Sequence, residues 1–192
     1  MDTIADLVLR NRSYRRFLQQ RGVERQTLVD LVDLARQSGS AGNRQPLRYM
    51  LFHSKEGCAR IFPHLKWAAL LKDWGGPVDG ERPAGYILVL ASKADGGMPP
   101  CDAGIAMQTI LLAATERGMG GCMLGAIDRQ KLVGACRVPD GMDLLFVVAL
   151  GYPAESVVLE DAVDGNIVYS RDASGVHHVP KRPLSEVLLS AE

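Results

Sequence analysis

The stretch DAGIAMQTILLAATERG, residues 102–118, has the length of a helix and is apolar on almost every face. A helix lying on a surface keeps a polar stripe, whereas one that is apolar all round is buried. In a chain of 192 residues, such a helix is either the centre of the core or is covered by a second subunit. Its small residues, Ala103, Gly104, Ala106, Ala113 and Ala114, leave room for a neighbour to approach closely.

The segments on either side supply the layers around it. AGYILVLA (84–91) and LLFVVALG (144–151) are continuous apolar runs of strand length, as expected of strands buried on both faces. GCMLGAI (121–127) and PLRYMLFHS (46–54) predict two more strands. Helical spacing of apolar residues predicts helices over about 2–11, 24–38, 61–74 and 128–136. Together these elements predict an α+β fold, a mixed central β-sheet wrapped by helices, within one domain spanning 1–192. After Gly151 the chain turns polar and is broken by D-G and S-G dipeptides. Residues from about 152 to 192 are therefore expected to form a C-terminal arm that packs over the domain or over a partner.

Composition narrows the function. Lys and Arg total 22 and Asp and Glu also total 22, so the net charge is zero. A protein that binds nucleic acid through bulk positive charge shows an excess, and none is present. No run of 18 apolar residues offers a membrane-spanning helix. The opening MDTIADLV lacks the basic start and apolar core of a signal peptide. A cytoplasmic location is expected. The four cysteines, Cys58, Cys101, Cys122 and Cys136, are far apart and make no C-x-x-C pair, which argues against a zinc or disulfide framework.

Local positive charge is a different matter. RNRSYRRF (10–17) places Arg10, Arg12, Arg15 and Arg16 around Ser13. Guanidinium forks and a hydroxyl are suited to phosphate oxygens, and the alternative is a solvated basic helix end favoured by the helix dipole. Lys181 and Arg182 form a second basic spot that could share the anion. SGSAGNRQP (38–46) offers small residues beside the amides of Asn43 and Gln45, or else is a simple helix cap and turn. GMGGCMLG (118–125) is not a dinucleotide fingerprint, because its order is helix, glycines, strand rather than strand, glycines, helix. These glycines are expected to end the buried helix and to let the next strand approach something flat. His177 and His178 are adjacent, so on a strand they point to opposite sides and make a poor metal pair. There is no nucleophile elbow, and no catalytic triad is suggested.

Taken in order, these motifs resemble the nitroreductase family of FMN-dependent oxidoreductases. NRSYRRF is similar to the family's R-R-S-x-R-x-F, SGSAGNRQPL to A-P-S-A-x-N-x-Q-P-W, and DAGIAMQTILLAA to D-x-G-I-A-x-Q-x-x-L-L-A-A. GMGGCMLG is similar to G-x-G-x-C-x-x-G, and PKRPLSEVL to the basic C-terminal segment. The resemblance covers nearly the whole chain. Asn11 stands where the family often has its first arginine, Gly39 for the usual Pro, and Leu47 for a frequent Trp.

The resemblance implies an intertwined homodimer with FMN at each subunit interface. It implies that Arg12, Ser13 and Arg15 hold the phosphate and ring edge, and that Lys181 and Arg182 complete the phosphate site. Ser40, Ala41 and Asn43 would come from the other subunit, with Gln45 nearby. Met123, Leu124 and Gly125 would set backbone against the N5 side of the ring. The implied activity is a ping-pong oxidoreductase reaction, with NAD(P)H as transient co-substrate and a nitroaromatic, quinone or similar acceptor. No side chain need act as acid or base, since the hard chemistry belongs to the cofactor. Within the same fold the alternatives are a dehalogenase, a flavin-fragmenting enzyme, or a non-catalytic protein that stores FMN. The segment 62–83 is where such enzymes vary the lid, with Trp67, Lys72 and Trp74 as candidates to face the substrate.

Overall fold

The computed structural model describes residues 2–191. Seven strands and six α-helices occur among them. A four-stranded sheet is at the centre, in the order β1 (Leu47–Phe52), β2 (Gly85–Ser92), β4 (Met142–Gly151), β3 (Gly120–Leu124). Alternation along β2 divides the core in two. Ile87 and Val89 face one cluster, shared with helices α2 (Arg25–Arg36) and α4 (Pro99–Glu116). Tyr86, Leu88 and Leu90 face the other, with Ile61, Trp67 and Leu132.

The expected central strands are all present, but their directions differ from a mixed arrangement. Every strand pair in the central sheet is antiparallel. Parallel pairing occurs instead between β5 (Val157–Asp161) and β7 (His177–Lys181) in a second, small sheet, and at the isolated bridge from Ser13 to Gly121 on the edge strand β3. Apolar run length reports burial, not direction. Direction depends on how each connection returns the chain, which periodicity does not record.

Helix α4 is 18 residues long and starts with Pro99 in its first turn, a position that tolerates the missing N–H. Asp102, Ala103, Ala106, Met107, Ile110, Leu111, Ala113, Ala114 and Thr115 are buried. One stripe remains open in the single chain, with Ile105 43% exposed. The helix ends where Gly118 takes φ +69° and the N–H of Met119 donates to the Ala114 carbonyl at 2.9 Å. Only the residues without a Cβ penalty adopt that conformation easily.

The helix expected over 61–74 is displaced. Helix α3 covers Lys55–Ile61, with Ser54 as its N-cap accepting from the N–H of Gly57 at 3.0 Å. A single 3-10 turn follows at Phe62–His64, with Pro63 in its first turn. Residues 65–83 then run without helix. Trp67 is buried in the second core cluster and does not face a ligand groove. The Ser54 cap was the missed signal, since a capping side chain marks a helix start better than the apolar pattern after it. Helices α1 (Ile4–Arg10) and α5 (Arg129–Cys136) fall where expected.

The C-terminal segment forms the small sheet β5–β7–β6, with β6 at Ser170–Arg171, and a short helix α6 at Leu184–Val187. Its last apolar side chains are exposed, Leu184 by 71% and Leu189 by 94%.

Candidate functional site

The arginine motif leaves α1 in extended conformation and runs between β3 and the chain after β4. Ser13 bridges Gly121, and the N–H of Tyr14 donates to the Gly121 carbonyl at 3.0 Å. The glycines of β3 make this approach possible. A Cβ on Gly120 would lie under 3.0 Å from the Tyr14 ring, and one on Gly121 under 3.0 Å from the Ala149 carbonyl. The flat neighbour that Gly120 accommodates within the chain is thus Tyr14.

The four arginines divide by partner. Arg10 pairs with Asp2, and Arg16 grips both oxygens of Glu81. Arg16 is therefore a clamp on the 65–83 segment, not solvated charge. Arg12 and Arg15 have no carboxylate against their guanidinium groups among the described residues. Arg12 donates to the Val8 carbonyl at 2.6 Å and Arg15 to the Ser13 carbonyl at 3.2 Å. The Nε of each is buried without a hydrogen-bond partner.

Both open into a groove of about 430 Å³. Asn11, Ser13, Met123, Tyr169, His177 and Lys181 share its lining, and Gln108 and Leu111 of α4 complete one wall. Three of these positions, Arg12, Arg15 and Lys181, carry positive charge. The nearest buried carboxylate, Glu155, is already committed. It accepts from the backbone N–H of Arg15 and of Arg16, and it pairs with the Arg171 guanidinium at 2.7 Å.

His177 is 1% exposed. Its Nε2 is 3.4 Å from an Arg15 nitrogen, and its Nδ1 has no partner among the described residues. Burial, and then the neighbouring Arg15 charge, lower its pKa below the usual histidine value. The Tyr169 ring packs beside it, with centroids 5.2 Å apart, and the Tyr169 hydroxyl accepts from the N–H of Leu70. The groove is thereby tied to the 65–83 segment. His178 points the other way, to Glu160 and Asp172, as alternation on a strand requires.

The remaining sequence-selected residues are placed elsewhere. Arg182 pairs with Glu186 at 2.8 Å and is not in the groove lining. Leu124 packs into the opposite core cluster, so only its backbone remains available, and Gly125 lies beside Phe146. Ser40, Ala41, Asn43 and Gln45 are on a separate loop. That loop is conformationally unusual, with Gly42, Asn43 and Gln45 all at positive φ. It is held by Asp102 of α4, which accepts from the Ala41 N–H at 2.9 Å, and by Ser40 Oγ, which accepts from the Gln45 N–H at 3.0 Å. Ser40 and Gln45 line their own cleft with Asp102 and share no lining residue with the cationic groove. Within one chain the two halves do not meet. Sequence reasoning missed Glu155, Tyr169 and Arg171 because they lie in the polar segment after Gly151, where no periodicity marks a buried side chain.

A helix-wrapped antiparallel sheet with a cationic groove at its edge strand defines an α+β fold. The sequence pattern of the nitroreductase family matches residues 8–152, and the chain belongs to the nitroreductase family. It is similar to a protein of Methanothermobacter thermautotrophicus named "Putative NADH dehydrogenase/NAD(P)H nitroreductase", 26% identical over 172 residues, covering 86% of this chain and 85% of that one. A protein of Archaeoglobus fulgidus with the same name is 25% identical over 172 residues, covering 85% and 93%. Among solved structures, a nitroreductase-fold protein from Desulfovibrio desulfuricans, in complex with FMN, aligns with a TM-score of 0.72 at 21% identity over 100% of this chain and 98% of that chain. A nitroreductase family protein from Clostridium difficile 630 aligns at 0.68 and 22%, over 100% and 99%. At these identities the structural matches establish the fold.

Proposed function

We propose that the protein is an FMN-dependent oxidoreductase that uses NAD(P)H to reduce nitroaromatic, quinone or similar acceptors. The observation carrying this reading is the set of three cations, Arg12, Arg15 and Lys181, lining one groove, with the Nε of Arg12 and of Arg15 buried without a partner among the described residues. Buried donors left unpaired cost roughly 1–3 kcal/mol each, and an anionic ligand removes that cost. FMN fits the donor set: cations for its phosphate and ring edge, and the apolar side chains of Leu111, Met123 and Val179 against a flat ring. When bound, FMN supplies the hydride-accepting chemistry, with NAD(P)H and the acceptor reacting in turn in a ping-pong sequence.

The chain's own residues bind and exclude water. Arg12 and Lys181 neutralise phosphate charge, and Arg15 sets a cation at the ring edge, where negative charge is favoured. The loop Ser40–Gln45 completes the site from a second subunit, since in one chain it opens elsewhere. The exposed stripe of α4 and the exposed apolar side chains at Leu184 and Leu189 support such a dimer.

The test is spectroscopic. Purified protein titrated with FMN under anaerobic conditions should bind it tightly and bleach on adding NADH or NADPH, then recover colour with a nitroaromatic or a quinone. Binding without bleaching would favour a storage role, and no binding would remove the reading.

A further inference from the structure

A second cavity, of about 420 Å³, shares no lining residue with the cationic groove or with the Ser40–Gln45 cleft. Its walls come from the turn at Gln19–Gly22, the start of α3, the loop at 79–84 and the beginning of strand β2. It lies on the side of the sheet where Tyr86, Phe62 and Trp67 pack, away from the α4 face that carries Met123.

Two of its residues are chemically unsettled. Tyr86 is 0% exposed, yet its hydroxyl has no hydrogen-bond partner among the described residues. A buried phenol normally finds one. Arg82 stacks on the Phe62 ring, with the guanidinium carbon 4.4 Å from the centroid, and its Nε is buried without a partner. Its one carboxylate partner among the described residues, Asp79, is 81% exposed and stands 3.8 Å away, too loose to consume the guanidinium donors. Arg82 and Cys58 are the charged and ionisable neighbours the phenol senses, and both line the same cavity. The phenol and the guanidinium therefore line one cavity.

The surroundings select the ligand. Phe62, Ala59, Pro83 and Ala84 make an apolar wall. Lys55 adds a second cationic group to the lining that Arg82 shares, against the single lining carboxylate Asp79. One guanidinium and one hydroxyl suit the two oxygens of a carboxylate, which accepts in a fork.

We propose that this cavity is a second small-molecule site, taking a small organic carboxylate with an aromatic or aliphatic body, its oxygens held by Arg82 and Tyr86. The acid binds reversibly and undergoes no chemistry there. Its site is physically separate from the groove assigned to FMN and does not depend on that assignment.

The test uses 4-fluorobenzoate as probe, followed by fluorine NMR on the protein as purified, with thermal melts in parallel. Wild type should bind it saturably and melt at a higher temperature in its presence. Arg82→Gln should weaken binding tenfold or more, and Tyr86→Phe at least threefold, in line with charged and neutral hydrogen bonds. Tyr86→Phe is informative even if binding is weak in all variants. An unpaired buried hydroxyl predicts that without the probe this variant melts no lower than wild type. Three results would each overturn the proposal. One is no saturable binding to wild type. Another is equal affinity in wild type and both variants, which would place the probe in the FMN groove. The third is a lower melting temperature of Tyr86→Phe in buffer, which would show that the hydroxyl is satisfied by the protein or by a bound water.

Discussion

Glu155 and Arg171 form an ion pair at 2.7 Å, with the Glu155 side chain only 1% and the Arg171 side chain 15% exposed. The same carboxylate holds the backbone of Arg15 and Arg16, and Arg171 lies over the Trp74 ring. One buried charge thus joins the arginine motif, the C-terminal small sheet and the 65–83 segment. Removing one member of a buried pair typically costs about 3–5 kcal/mol, because the other charge is left uncompensated. Glu155→Gln should lower unfolding stability by an amount of that order in denaturant melts, and a loss under about 1 kcal/mol would show that the clamp is dispensable.

Arg12→Ala should lower FMN affinity by about 10- to 100-fold, as expected for a charge-assisted contact of roughly 1.5–3 kcal/mol. Arg10→Ala should change it less than about twofold, since Arg10 is engaged by Asp2 and a rim charge contributes little. Fluorescence titration of FMN with both variants separates the two arginines. Equal effects would mean that general positive charge, not position, governs binding.

Gly121→Ala should destabilise the protein more than Gly39→Ala. The added Cβ would press on the Ala149 carbonyl within the sheet, whereas nothing lies within 4 Å of Gly39. Overpacking of this kind costs about 1–3 kcal/mol. Thermal melts of the two variants check the order.

The two histidines should act on stability in opposite directions. His177 has a lowered pKa in the folded state, so below about 6.5 the unfolded chain binds more protons and stability falls as pH drops. His178 has a raised pKa from its bonds to Glu160 and Asp172. Its contribution is complete below about 6.5 and is lost as pH rises through its folded-state value. Asp172, held down to about 2 by Ser174 and His178, adds stability above about 4 that disappears as pH falls toward 2. Replacing His177 with Asn should flatten the acid side of a stability profile, below about pH 6.5, while His178→Asn should flatten the neutral side. A His177→Asn profile that matches wild type would show the ring to be solvated.

Ile105→Glu tests the second subunit. The side chain is 43% exposed on the one open stripe of α4, and a charge placed in an apolar interface is costly to desolvate. Sedimentation should show the variant shifted to monomer, with FMN affinity falling in parallel. A monomeric variant that binds FMN as wild type does would confine the site to one chain.

The buried helix was legible because α4 has no polar face to misread, and the strands at 85–92 and 142–151 because continuous apolar runs of that length fit little else. Helix α3 was misplaced because Ser54 and Pro63 carry the boundary information while the apolar residues after them continue without a break. Among the site residues, Arg12, Ser13, Arg15, Met123 and Lys181 come together in one groove, and Arg182 does not because Glu186, four residues on, engages it.

What the sequence alone determined is the class of fold and the charged motif, since apolar periodicity and residue type act over a few neighbouring positions. Which arginines remain free was decided only by the tertiary structure. Asp2, which engages Arg10, and Glu81, which engages Arg16, lie in different segments of the chain. Whether a guanidinium is neutralised depends on distances of about 3–4 Å between such segments, and those distances exist only once the chain has folded.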